Sequence, residues 1–195
     1  MVALSEPHLP PDAYLQLEAE STVKHEYMDG DVYAMAGASD VHVTISLNIA
    51  TLLRSHMRGT GCRVYIADMK ARIEACNCFY YPDVMVTGDD RDRETATYKR
   101  FPKLIVEVLS DSTEAFDRGD KFINYQTLDT LEEYVIVNTR HQRVECFRRT
   151  PDNLWLLQTY TPESDQFELK SLGFADEILA LYEDAELEPT LASPE

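Results

Sequence analysis

Two acids and one lysine in the middle of the chain are of the residue types that phosphoryl chemistry uses. The run Lys103-Leu104-Ile105-Val106-Glu107-Val108-Leu109-Ser110 reads as a β-strand. Strand alternation puts Glu107 on the face of Ile105 and Leu109. A carboxylate among apolar neighbours loses its hydration and needs a cation or hydrogen-bond donors in return. An edge strand, or pairing with a nearby arginine, would satisfy Glu107 as well as a functional role would. Tyr80-Tyr81-Pro82-Asp83-Val84-Met85-Val86 places a second acid at the head of a strand. Pro-Asp by itself is also an ordinary turn dipeptide. If the two strands are neighbours, Asp83 and Glu107 converge and offer the hard oxygens that Mg²⁺ takes, with water and a substrate phosphate completing its shell.

Lys121 follows on the next predicted helix, with Asp117 one turn before it and Tyr125 one turn after. Two interpretations stand side by side. Asp117 and Lys121 form a surface i,i+4 pair worth roughly 0.2–0.5 kcal/mol, or the stripe faces the end of the sheet, where an ammonium can stabilise charge developing on a phosphorane. Asp68 lies near Lys70 on another predicted strand and is taken as a pairing device. Cys76-x-Cys78, with Cys62 and Cys146, has no CxxC spacing, so buried or incidental thiols are expected and a zinc site is not. No G-x-S-x-G, Walker A or Rossmann fingerprint occurs, so no organic cofactor is expected. Gly59-Thr60-Gly61 reads as a helix stop.

The elements that must position these groups follow from pattern and punctuation. Pro10-Pro11-Asp12 opens a short helix to Glu20. Strands at 25–28 and 32–35 flank Asp29-Gly30, a two-residue hairpin signal. Ser39 is expected to cap a helix over 40–58 in which Val43, Leu47, Ala50, Leu52 and Leu53 recur at helical spacing. Strands are predicted over 63–74 and 79–87 with a turn at Asn77, and a loop over 89–100. After the Glu107 strand, Asp111 is expected to cap a helix to about Leu128. Strands at 134–138, 144–148 and 154–160, a short helix at 175–181 and an acidic, mobile tail over 182–195 complete the order. This order predicts an α/β or α+β fold around one mixed sheet, as a single domain over 1–195 with its core at about 12–160.

Of 195 residues, 35 are acidic and 18 basic, a net charge of −17. The excess sits at the ends: residues 1–31 hold 7 acids and 1 base, and residues 160–195 hold 10 acids and 1 base. The middle, 32–159, holds 18 acids and 16 bases, so charge neither supports nor excludes a nucleic-acid partner. No run approaches the 18 or so apolar residues of a membrane span. The first ten residues lack the basic patch and apolar core of a signal peptide. Four cysteines at low density predict reduced thiols in a cytoplasm.

The segments HEYMDGDVYAMAGASDVH (25–42), YYPDVMV (80–86) and PKLIVEVLSDSTEAFDRGDKFINYQTLDTLEEYVIVN (102–138) resemble the Uma-type restriction-endonuclease-like family of the PD-(D/E)XK nuclease superfamily. The resemblance spans roughly residues 12–150. It implies a mixed-sheet core flanked by helices, with an N-terminal hairpin and extra C-terminal strands. It also implies a Mg²⁺-dependent endonuclease, with Mn²⁺ as a substitute and DNA as substrate. The superfamily's two strand-borne acids map onto Asp83 and Glu107 as metal ligands. Its lysine, expected two residues after the second acid, meets Leu109 here; the family's helix lysine maps onto Lys121. Glu26 and His42 are auxiliary candidates, His42 being also explicable as a satisfied core residue. A homodimer follows if both strands of a duplex are to be cut. The endonuclease is the leading expectation; the missing lysine, the acidic ends and the lack of a basic aromatic cluster speak for the alternative, a non-catalytic nucleic-acid or protein-binding module on the same fold.

Overall fold

The computed structural model describes residues 8–187 and divides the predicted strands between two main sheets. The first seven residues and the end of the expected tail, 188–195, lie outside the described range. Helix α1 (Pro11–Glu20) leads into the hairpin of β1 (His25–Met28) and β2 (Asp31–Ala34). Asp29 and Gly30 close it with φ of 44° and 101°. A type I′ turn needs both values positive, and glycine takes the second without steric cost. Helix α2 (Asp40–His56) follows, with Ser39 at the N-cap position but making no side-chain cap hydrogen bond, contrary to expectation. Its buried face is Val41, Ile45, Ile49 and Leu53, whereas Val43 and Leu47 are exposed. The predicted face is therefore rotated; two i,i+4 apolar rows run along this helix, and only one meets the sheet.

Neither long predicted strand is continuous. The segment 63–74 is β3 (Arg63–Ile66) and β4 (Lys70–Ile73), which belong to different sheets. Likewise 79–87 is β5 (Cys78–Tyr80) and β6 (Val84–Thr87), parted at Tyr81-Pro82-Asp83. Proline lacks the N–H that a ladder needs, so the chain leaves one sheet there and enters the other. The predicted loop 89–100 contains a 3₁₀ turn (Asp90–Arg93) and a short strand, β7 (Tyr98–Lys99), parallel to β4. The order of this first sheet is β2-β1-β5-β4-β7.

β8 (Leu104–Val108) carries Glu107 and reads as an apolar run because both its faces are covered. Leu104, Val106 and Val108 pack toward α2, while Ile105 and Leu109 pack on the other side with Tyr125 and Tyr134. The predicted helix 111–128 is two helices, α3 (Glu114–Arg118) and α4 (Asp120–Tyr125), interrupted at Gly119 with ψ of −109°. Asp111 does not cap either; α3 starts three residues later. This crossover returns the chain to β9 (Glu133–Val137), parallel to β8. β10 (Val144–Arg149) and β11 (Trp155–Tyr160) then extend the mixed second sheet, ordered β11-β10-β9-β8-β6-β3. A pair β12 (Phe167–Leu169) and β13 (Phe174–Asp176) precedes α5 (Ile178–Leu181), so the predicted helix 175–181 loses its first residues to a strand. The expected tail begins ordered: Tyr182 is buried, and its hydroxyl takes the Arg143 N–H at 3.0 Å.

Candidate active site

Lys121 comes off the first turn of α4 and points inward, its side chain only 6% exposed. Its ammonium lies 3.0 Å from Glu107 Oε1, 3.1 Å from Glu26 Oε1 and 3.4 Å from Asp117 Oδ1. Four elements meet at this point: β1 supplies Glu26, β8 Glu107, α3 Asp117 and α4 Lys121. The break at Gly119 lets Asp117 and Lys121, on separate helices, both face the sheet. All three carboxylates are as buried as the amine. The Tyr125 hydroxyl, one turn beyond Lys121, donates to Glu107 Oε1 at 3.0 Å. The Tyr81 N–H donates to Glu26 Oε1 at 3.2 Å, and the ammonium lies 5.5 Å from the Tyr80 ring centre.

Burial sets the electrostatics. Loss of water pushes the Glu107 carboxyl well above its usual range; Lys121 opposes this, and the charges of Asp117, Asp83 and Glu26 add to it. Burial also works against the charge on Lys121, but Glu107, Glu26 and Asp117 together outweigh it and hold the amine well above its usual value. Lys121 is therefore an ammonium, and the carboxylates outnumber it.

Asp83 approaches from β6. Asp83 immediately precedes β6, whose first pair is Val84 with Val106, so Asp83 and Glu107 are the next residues outward along the two antiparallel strands. Its Oδ2 accepts the Val108 N–H at 2.8 Å and faces His42 Nε2 at 3.2 Å. Burial opposes protonation of His42, yet the hydrogen bond and charge of Asp83, with the Val108 carbonyl, raise its pKa above the usual value. The other ring nitrogen, Nδ1, is buried without a partner. Asp83, Glu107, Lys121, Glu26 and His42 thus fall into two adjoining groups. Asp68 stays outside: its side chain is 80% exposed and pairs with Lys24. Its predicted neighbour Lys70 instead donates to the Tyr81 hydroxyl at 3.1 Å.

Residues 11–181 match the Uma2 family, described as "Putative restriction endonuclease". The chain belongs to the Uma2 family. Two proteins of Synechocystis are similar to it, both called uncharacterized: slr1290 is 40% identical over 176 residues, covering 90% of this chain and 92% of that one. The other, sll1609, is 33% identical over 160 residues, covering 80% and 89%. A crystal structure from Anabaena variabilis, titled a "putative nuclease belonging to DUF820", superposes with a TM-score of 0.73 at 15% identity. It covers 88% of this chain and 96% of that one, which establishes a shared fold.

Within this Uma2 chain, position 109 is a buried leucine of the second core and offers no amine to Glu107. The amine beside Glu107 is that of Lys121, which reaches it from the following helix. Asp117 and Tyr125 are the members that sequence spacing does not assign. Their signal is the i−4 and i+4 relation to Lys121, which shows a shared stripe but not that the stripe is buried. Among the described residues no helix is long and apolar enough to cross a membrane.

Proposed function

We propose that this chain is a Mg²⁺-dependent endonuclease, active also with Mn²⁺, that hydrolyses DNA phosphodiester bonds. The observation that carries this is the Lys121 ammonium, 3.0 Å from Glu107, although it comes from the following helix and the superfamily's lysine comes from the strand itself. The donors fit a hard divalent cation. Glu26, Asp83, Glu107 and Asp117 present only carboxylate oxygens, and together they outnumber the two cationic groups, Lys121 and His42. Among the described residues no group of three or more His, Cys, Asp or Glu is arranged to hold a metal by itself. Asp83 and Glu107 would hold the ion, leaving positions for water and substrate oxygens, as Mg²⁺ prefers. When bound, the ion supplies Lewis-acid polarisation of the phosphate and a more acidic water.

The protein's own groups have distinct parts. Lys121 stabilises negative charge that builds on the phosphate oxygens in the transition state. Asp117 and Glu26 keep that amine charged and aimed. Tyr125 fixes the orientation of Glu107, and His42 with the Val108 N–H fixes Asp83. The four free cysteines suit a reducing cytoplasm, and cutting both strands of a duplex calls for a homodimer. The test is incubation with supercoiled, linear and single-stranded DNA in Mg²⁺, Mn²⁺ or chelator. Cleavage is expected only with metal, and Asp83→Asn is expected to abolish it while unfolding at the wild-type temperature, since the amide keeps the side chain's shape. No cleavage of any DNA form with either metal would leave a non-catalytic binding module.

A further inference from the structure

All four cysteines are free, and the proposed nuclease chemistry uses none of them. Two of them sit together. The turn Glu74-Ala75-Cys76-Asn77 joins β4 to β5, and the Asn77 N–H closes it by donating to the Glu74 carbonyl at 3.2 Å. Asn77 takes a positive φ of 53°, which swings the chain so that Cys78 pairs back with Ile73. Cys78 Sγ folds toward the turn, 3.1 Å from the Cys76 carbonyl oxygen, and the two sulfurs are close enough to share a hydrogen bond. The turn is also fixed from outside. Arg72 donates to Asn77 Oδ1 at 2.9 Å, the Asn77 amide donates to Asp29 Oδ1 at 3.1 Å, and the Asp29 N–H donates to the Asn77 carbonyl at 3.1 Å. Sulfurs held together in advance lose little further freedom on joining. Glu74 and Ala75 are exposed and Cys76 is half-buried, so a small reactant meets the pair from that side, while Cys78 is buried.

We propose that Cys76 and Cys78 form a reversible oxidation site, closed to a disulfide by a hydroperoxide and reopened by a dithiol. A thiol that donates to its neighbour stabilises that neighbour as a thiolate. The Cys76 thiol holds Cys78 below the usual thiol value in this way; burial opposes it, and the Tyr80 hydroxyl and Arg72 add to it. The same bond, with burial, raises Cys76. The pair thus releases its first proton more readily than an isolated thiol. Cys146 is the contrast, its thiol pushed up to about 12 by burial. With hydrogen peroxide, the thiolate sulfur of the pair attacks one oxygen, the O–O bond breaks, and the departing hydroxide takes up the proton already released. The remaining thiol then attacks the sulfenic sulfur. An S–S bond forms, the S–O bond breaks, and the hydroxyl leaves as water with the thiol's proton. The two sulfurs lose two electrons, and one peroxide becomes two waters. A dithiol returns two electrons and two protons and is left as a disulfide. Such a transient disulfide suits a reducing compartment. Cys78 also meets the Tyr80 hydroxyl, which accepts the Asn124 amide of α4 at 2.6 Å, so the pair borders the helix of Lys121 without joining its cluster.

The test treats the full reduced chain with hydrogen peroxide in the absence of denaturant. The remaining thiols are then alkylated, and the protein and its peptides are weighed. The expected product is two hydrogens lighter than the reduced chain, with Cys76 and Cys78 blocked and Cys62 and Cys146 still alkylated. Dithiothreitol should restore all four thiols. Cys76→Ser and Cys78→Ser, which keep the side chain's size, should each fail to give that product. Four alkylated thiols after peroxide overturn the proposal. So does a disulfide that joins two chains or that involves Cys62 or Cys146, and so does the same loss of two hydrogens in either serine variant. The wild-type peptide map decides the matter even if a serine variant fails to fold. The outcome is independent of whether the protein cleaves DNA.

Discussion

An ammonium held by three carboxylates away from water is costly to disturb from either side. Removing Lys121 leaves buried acids without a cation, which typically costs about 3–5 kcal/mol. Lys121→Met, which keeps the aliphatic stem, should therefore lower stability in urea by that order and stop turnover. Asp117→Asn should cost less and slow turnover while leaving Mg²⁺ affinity near wild type. Equal, negligible effects from both would return the pair to a solvated helix face. Glu107 makes the opposite prediction. Burial raises its carboxyl well above the usual range. In the pH window between the unfolded and folded values the folded chain therefore keeps a proton that the unfolded chain has lost, and above that window Glu107 faces Lys121 as a carboxylate. The stability from this group is full below about pH 4.5 and falls as pH rises toward the folded value. In chelator, the urea midpoint of Glu107→Gln should fall less steeply above that pH than the wild type's. A parallel pair of curves would show that Glu107 is not held protonated. At this scale Asp83 and Glu107 are legible in the sequence because an acid in an apolar strand breaks a pattern. Lys121, Asp117 and Tyr125 are only half legible: helical spacing shows that they share a face, but whether that face meets water or a sheet depends on the tertiary fold.

Two interruptions in the elements place the site. The first is Tyr81-Pro82-Asp83, where the chain passes from the sheet containing Glu26 to the sheet containing Glu107, and so brings Asp83 to their junction. The proline is visible in the sequence, but the strand patterns on either side read as one strand, because a two-residue period does not show a change of sheet. The second is Gly119, where α3 ends and α4 begins. A Cβ at 119 would stand 3.0 Å from the Ala115 carbonyl oxygen, so the turn relies on a hydrogen there. Gly119→Ala should push the helices apart by a few tenths of an ångström. It should cost on the order of 1 kcal/mol in urea and reduce turnover more than DNA binding, because it lies between Asp117 and Lys121. Wild-type turnover in Gly119→Ala would show that the two helices do not set the lysine. The N-terminal hairpin, by contrast, is fully legible, since Asp29-Gly30 demands one turn type and two strands in one register.

The mixed α and β architecture and the parallel crossover around Glu107 follow from element order. The division into two main sheets does not, and neither does the rotated face of α2, where two apolar rows compete and burial chooses between them. The charge balance bears directly on function. A chain of net −17 with an acidic buried cluster repels a phosphodiester, and a cation bound at the cluster reverses the sign of that interaction locally. Everything proposed for the site depends on that cation and on Asp83 and Glu107 as its ligands. The most direct measurement is a crystal soaked in Mn²⁺ and recorded at a wavelength where manganese scatters anomalously. An anomalous peak about 2.1–2.3 Å from carboxylate oxygens of both Asp83 and Glu107, with water in the remaining positions, is the predicted result. No peak there at saturating Mn²⁺, or a peak bound only elsewhere on the acidic surface, would contradict it.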